Sequence, residues 1–262
     1  MTTPDDVVSR LRAAGCVWAE DEAALLREAA GSDAELDGLV ARRVGGEPLE
    51  LVLGWVAFLD RRLLVAPGTF VPRRRTELLA RAAREEVGRR AATVPVVVEM
   101  CCGVGPVAAS LEGLPVVVHA ADLDEVALGC ARANAPSASL HRGDLYDALP
   151  ATLAGRVDVL VANAPYVPTG AIAGMPPEAR QHEPRVALDG GPDGVDVHRR
   201  LAGGVRPWLA PGGVVLVETS PGQLPLTRGA LERAGLDVRS LSDDEVGGCV
   251  AVGVSRSGAG PA

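Results

Sequence analysis

The chain contains no lysine: all 26 of its basic residues are arginine. No side-chain amine is therefore available to form a pyridoxal Schiff base or to grip phosphates in a P-loop, and both kinds of chemistry are excluded. Isoleucine occurs once, as Ile172, and heavy use of Ala, Gly, Pro, Arg and Val points to a GC-rich coding sequence, a mutational bias without functional meaning. No apolar run approaches the roughly 18 residues that cross a bilayer. The opening MTTPDDVVSR lacks the apolar core of a secretory leader, so a cytoplasmic location without a membrane partner is expected. The five cysteines (Cys16, Cys101, Cys102, Cys130, Cys249) form no CxxC pair, and the four histidines (His119, His141, His182, His198) are equally scattered. Neither a disulfide framework nor a bound metal is expected from such spacing. A formal net charge of -8 gives no strong nucleic-acid signal, since such binders usually carry a basic face.

What is present is a globular composition, 47% apolar over 262 residues, enough for one large domain with a smaller attachment. Across residues 5–45, Val7, Val8, Leu11, Leu25, Leu26, Leu36, Leu39 and Val40 recur at helical spacing, Ser32 with Glu35 fits a capping box, and Gly45-Gly46 closes the segment. Residues 51–58 and 62–65 read as two short strands turning near Gly54 and Asp60, and a helix follows at 76–87. Strands at 94–100, 115–121, 157–162 and 213–218 then alternate with helices, one beginning at 106 and one at 124–134; 250–254 reads as a last strand, and 255–262 as a frayed tail. Continuous Val-rich strands alternating with helices imply an α/β fold, a mainly parallel sheet covered on both faces. Trp18, Trp55 and Trp208 read as core or interface anchors.

Ligands of such sheets bind beyond the carboxyl ends of the strands, where strand order reverses. Three motifs fall there. The first is a strand running into Cys101-Cys102-Gly103-Val104-Gly105, where glycines admit a ligand close to the backbone. The second is Asp122, about 20 residues on, whose carboxylate can accept both hydroxyl hydrogens of a ribose. Asp124 is its rival but suits a helix N-cap better. These two motifs do not separate a nicotinamide dinucleotide from S-adenosylmethionine (SAM); the third dinucleotide glycine is replaced by Ala108. The third motif decides more. Asn163-Ala164-Pro165-Tyr166 offers an amide oxygen and a backbone carbonyl as acceptors for a planar NH2, a proline to stiffen the turn, and an aromatic face to fix the plane of the group. Such a loop orients the nitrogen for in-line attack on a methyl sulfonium without a general base.

Asn-x-Pro-Tyr after such a strand resembles the amino-methyltransferase signature N-P-P-Y. From about Arg42 onward the chain is similar to the HemK/PrmC family of protein-glutamine methyltransferases. The resemblance runs through Gly46-Glu47-Pro48-Leu49 to Gly54, Val71-Pro72-Arg73-Arg74-Arg75-Thr76-Glu77 (family P-R-P-E-T-E), His182-Glu183-Pro184, Ala187-Leu188, Gly190-Gly191-Pro192-Asp193-Gly194, Pro211-Gly212-Gly213 and Glu218. It implies a Rossmann-like SAM-dependent methyltransferase sheet, with a helical N-terminal domain (1–48), a β-hairpin linker (49–75) and a catalytic domain (76–262). Carried over by position, SAM would meet Cys101, Cys102, Gly103, Val104, Gly105, Asp122, Leu145 and Asn163. The acceptor glutamine would meet Asn163, Ala164, Pro165 and Tyr166. The implied partner is a protein presenting a glutamine, either the Gly-Gly-Gln tip of a peptide-chain release factor or a ribosomal protein.

Three departures from the family pattern mark a divergent paralogue: Ala164 for proline, Cys101-Cys102 for a Gly-Thr type pair, and Arg73-Arg74-Arg75 for Arg-Pro-Glu. A side chain at 101 would crowd the methionine part of SAM, and small inert thiols fit the pair better than a redox role. The three arginines read as a solvated face, or as a contact for an acidic or phosphate-bearing surface. His182 reads as a structural loop residue or as lining the substrate entrance; Glu218, at a strand end, reads as bonding the loop that carries Asn163 or as a capped, solvated acid. Two other functions stay open: amino-methyl transfer to a nucleic acid or small molecule, and SAM binding without catalysis.

Overall fold

Helical periodicity at the start of the chain resolves into three helices in the computed structural model, which describes residues 4–90 and 92–256. These are α1 (Pro4–Ala13), α2 (Ala19–Ala29) and α3 (Asp33–Val44). Ser32 caps α3 by accepting the Glu35 N–H, while the Glu35 carboxylate reaches back to the Gly31 N–H. Val7, Leu11, Ala23, Leu26, Leu36 and Val40 form a core of their own, shared only with the segment that follows. That segment differs from expectation: residues 51–53, read as strand, belong to a short helix, α4 (Leu49–Leu53). Pro48 precedes it and Gly54, at φ 79°, ends it, so the Leu-Glu-Leu alternation is one helical turn rather than a pleat. Strands β1 (Trp55–Phe58) and β2 (Arg61–Leu64) then pair as an antiparallel hairpin.

The remainder runs α5 (Thr76–Arg89), β3 (Val96–Met100), α6 (Pro106–Ser110), β4 (Val117–Asp122), α7 (Glu125–Asn134), β5 (Ser139–Arg142), β6 (Val157–Ala162), α8 (Pro177–His182), α9 (Asp196–Gly204), β7 (Leu209–Glu218), α10 (Leu224–Arg233), β8 (Asp237–Asp243) and β9 (Gly248–Val254). The sheet order is β5-β4-β3-β6-β7-β9-β8, with β9 antiparallel to both of its neighbours and the other pairs parallel. Strand order reverses between β3 and β6, so a crevice opens beyond Met100 and Ala162.

The two faces are written in alternate residues. Val97, Val159, Val161 and Leu216 pack with α5, α6 and α7; Val98, Met100, Leu160, Val215 and Val217 pack with α9 and α10. Each such fully buried side chain contributes roughly 1.5–3 kcal/mol. Two strands escape the sequence reading. β5 holds a single leucine among polar residues, and β8 is a surface strand in which no residue is fully buried. Of the tryptophans, Trp208 stacks on Tyr146 and Trp55 lies under Arg62, but Trp18 is exposed and anchors no core. The expected tail beyond 256 lies outside the described residues. Among those described, no helix is long and apolar enough to cross a membrane.

Candidate active site

At the end of β3 the chain turns sharply, with Cys101 at φ 51°, Gly103 at φ 52° and Gly105 at φ 72°. The left-handed conformation at a residue with a Cβ costs about 1–2 kcal/mol, so Cys101 is strained. Backbone bonds hold the turn: the Cys102 N–H donates to the Ala121 carbonyl at 3.0 Å and the Gly103 N–H to Asp122 Oδ2 at 2.7 Å. Asp122 Oδ1 accepts the Asp124 N–H at 2.9 Å, and Asp124 in turn caps α7 through Val126 and Ala127, as its place before the helix suggested. Buried Glu99 accepts the Val107 and Ala108 N–H groups at the start of α6; burial pushes its carboxyl up to about 8 against the pull of those two donors. Burial also raises the Cys101 thiol to about 12 and the Cys102 thiol well above its usual value, so neither is a ready nucleophile.

This turn forms one wall of a cavity of about 710 Å³. Cys101, Cys102, Gly103, Val104, Asp122, Leu145, Asn163, Ala164, Pro165 and Tyr166 all line it. Gly105 does not. A Cβ there would come within 3.2 Å of the Ala131 Cβ, so this glycine serves the close approach of α6 to α7. Leu145, at φ 48°, opens a short 3-10 turn directly after the β5 loop. Beside it Asp144 faces the cavity and pairs with Arg200 of α9 at 2.7 Å. Asp144 and Glu99 were not read as site residues. With Asp122, Asp124, Asp189 and Asp196 they line the cavity beside Arg73, Arg75, Arg185 and Arg200, so carboxyl and guanidinium groups are mixed along its wall.

The second wall comes from the loop after β6. Asn163 donates Nδ2 to Thr76 Oγ1 at 3.4 Å, which leaves Oδ1 for another donor. Ala164 is on the cavity wall yet exposes none of its surface to water. Tyr166 turns its ring to the cavity and its hydroxyl inward, donating to Glu218 Oε1 at 3.0 Å. Residues 188–194 back this loop: the Val167 N–H donates to Leu188, the Gly190 N–H to Val167 and the Thr169 N–H to Gly191. Gly194, at φ 84°, leaves room for the Tyr166 carbonyl, which a Cβ would approach to 2.6 Å. The Gly-Gly-Pro-Asp-Gly motif therefore braces the loop after β6 from behind.

The arginine run corrects the solvated-face reading at Arg73, while Arg74 and Arg75 are exposed. Arg73 pairs at 2.5 Å with Glu183, whose side chain has no exposed surface. Arg75 lies 3.5 Å from buried Glu218 and 5.8 Å from the Tyr166 ring centre. Both arginines line the cavity; Arg75 is nonetheless exposed, as is Arg74, which faces Glu245 at 3.9 Å. Burial raises both Glu183 and Glu218, and the adjacent guanidinium groups oppose the rise. His182 ends α8 away from the cavity wall, whereas Glu218 does bond the loop carrying Asn163, through Tyr166.

No family model matches the chain. A release factor glutamine methyltransferase of Streptomyces coelicolor is 40% identical over 204 residues, spanning 74% of this chain and 72% of that protein. A 4-amino-L-phenylalanine/4-methylamino-L-phenylalanine methyltransferase of Streptomyces pristinaespiralis is 38% identical over 192 residues, 71% of this chain and 65% of that protein. Among solved structures, the ribosomal protein L11 methylase of Lactobacillus delbrueckii subsp. bulgaricus superposes with a TM-score of 0.51 at 18% identity, over 74% of this chain and 84% of that one. That likeness concerns the fold alone.

Proposed function

Because this chain belongs to the HemK/PrmC family of release factor glutamine methyltransferases, we propose that it transfers a methyl group from SAM to the side-chain amide nitrogen of a glutamine in a peptide-chain release factor. One observation carries the reading. The strained glycine turn after β3 and the Asn163–Tyr166 loop after β6 share a single cavity at the point where strand order reverses. The relatives' activity and the acceptor chemistry of the loop support the same conclusion independently.

The residues fit the cofactor. Space is open beside Gly103, where a Cβ would meet nothing within 4 Å, and Asp122 keeps lone pairs free for a ribose after serving two backbone donors. Leu145 offers an apolar surface for the adenine, and Cys101 is the side chain that restricts room. When bound, SAM supplies an electrophilic methyl carbon on a cationic sulfur. The protein supplies orientation. Asn163 Oδ1 and the Ala164 carbonyl accept the two amide hydrogens, and the Tyr166 ring fixes the plane. We assign residues 1–48 and 49–75 as the helical domain and linker that present the partner, and 76–262 as the catalytic domain.

The test is transfer of labelled methyl from SAM to a purified release factor. Label is expected on the wild-type partner and absent when the glutamine of its Gly-Gly-Gln tip is changed to alanine. Equal labelling of both partners, or methylation of 4-aminophenylalanine with none of any release factor, overturns the proposed acceptor.

A further inference from the structure

One side chain joins the β-hairpin to the glycine turn and has no part in the chemistry above. Asn134 is the last residue of α7. Its Oδ1 accepts the Leu64 N–H at 2.7 Å, and its Nδ2 donates to the Leu64 carbonyl at 3.0 Å and to the Val104 carbonyl at 2.9 Å. Leu64 ends β2, a strand paired only with β1. The Asn134 amide therefore stands where a neighbouring strand would, and takes both backbone groups of Leu64 on the unpaired flank. Val104 lies inside the turn after β3, is 1% exposed and lines the cavity.

The partners fix which way this amide faces. Turned over, it would aim its oxygen at two carbonyls and its NH2 at the Leu64 N–H. As placed, both hydrogens are donated and the oxygen accepts, a set that asparagine can supply and aspartate cannot. The turn needs such a hold, because strained Cys101 keeps its left-handed backbone only where the surroundings over-determine it. The peptide plane between Val104 and Gly105 is gripped at both ends: the Gly105 N–H donates to the Cys102 carbonyl at 2.8 Å, and the Val104 carbonyl accepts from Asn134. The close approach of Gly105 to Ala131 presses α7 against the same point.

We propose that Asn134 is a positioning residue for the cofactor: it locks the Val104 carbonyl, and with it the turn that receives SAM, to the outer edge of the β-hairpin. The proposal rests on reading that turn as the SAM site, and not on the identity of the methyl acceptor. The lock works in both directions, since linkage requires a ligand that steadies the turn to steady the hairpin as well. The hairpin belongs to the segment assigned to present the partner, so an occupied SAM site firms the surface offered to that partner.

Calorimetry with S-adenosylhomocysteine, together with hydrogen exchange of the β1–β2 peptide read by mass spectrometry, tests the lock. Asn134→Ala should weaken S-adenosylhomocysteine binding by about threefold to thirtyfold, the range for one or two lost hydrogen bonds. Asn134→Asp keeps an acceptor for the Leu64 N–H but sets a charge against two carbonyls, so it should bind no better than Asn134→Ala. In the wild type the ligand should slow exchange across the hairpin, and in Asn134→Ala that slowing should be smaller. Arg61→Ala loosens the hairpin at its contact with the Glu112 carbonyl without touching the turn, and should leave the affinity unchanged. An unaltered affinity in Asn134→Ala, an equal loss in Arg61→Ala, or ligand-induced slowing of the same size in wild type and Asn134→Ala overturns the proposal. A wild-type chain that binds no S-adenosylhomocysteine overturns the SAM-site reading and this proposal with it, whereas binding without methylation of any release factor overturns the proposed acceptor alone.

Discussion

Replacing Arg73 by alanine isolates the contact that ties the linker to the cavity wall. Arg73→Ala leaves the Glu183 carboxylate in a site with no side-chain exposure, with one oxygen already unpartnered and the other held only by the Val71 N–H at 3.4 Å. Breaking a buried ion pair from one side costs about 3–5 kcal/mol. Arg73 is 30% exposed, so water already screens one side of the pair; the lower figure of roughly 2–3 kcal/mol is the appropriate expectation. The sign of the pH dependence follows from Glu183. Burial raises its pKa above the unfolded value and Arg73 opposes the rise, so removing Arg73 raises it further. A carboxyl whose folded pKa exceeds its unfolded one weakens the fold at high pH, and the penalty fades as the group takes up a proton. The variant should therefore lose most stability near pH 8 and less near pH 5. Urea melts followed by tryptophan fluorescence would show a midpoint about 1 M lower at pH 8, for a slope of about 2–3 kcal/mol/M. The double variant Arg73→Met, Glu183→Gln should regain most of the loss, since a neutral pair has no charge to strand. An unchanged midpoint at pH 8, or a loss independent of pH, would refute the reasoning.

Other outcomes follow from the same geometry. Cys101→Gly removes about 1–2 kcal/mol of left-handed strain but adds unfolded-state freedom of about 0.5–1 kcal/mol and loses a packed thiol. Thermal stability should therefore stay near wild type, while calorimetry should show S-adenosylhomocysteine binding several-fold more tightly; equal or weaker binding would show that the thiol does not crowd the ligand. Asp122→Asn gives up a charged acceptor that serves Gly103, Asp124 and the assigned ribose. Affinity for S-adenosylhomocysteine should fall by about tenfold to a hundredfold, at roughly 1.5–3 kcal/mol for a charged hydrogen bond; an unchanged Kd would remove Asp122 from the ligand site.

The elements that could be read from the sequence were those whose signal is local. β6 was placed at its observed bounds because five of the six residues of this interior strand are apolar and an asparagine follows them. Asp124 was recognisable as a cap because its partners are the next residues along the chain. β5 and β8 sit at the two edges of the sheet, and edge strands need few apolar residues. The helical turn at 49–53 carried a strand-like alternation, and packing against α2 and α3 decided its form. The site divides in the same way. The glycine turn and Asn163–Tyr166 are contiguous, so they were visible as motifs. The role of Arg73 was hidden because Glu183, which defines it, lies 110 residues away. Gly105 fitted a motif, but its neighbour is Ala131, a contact that only the α6–α7 packing reveals.

The last strand in the chain is not the last strand in the sheet. β9 lies between β7 and β8, and both take their partner on that side from it. During synthesis β7, long and largely buried when folded, must wait with one flank open until residue 254 has left the ribosome. Ribosome stalling or a premature stop between the end of β7 and the start of β9 would release a fragment with a sticky flank rather than a smaller working enzyme.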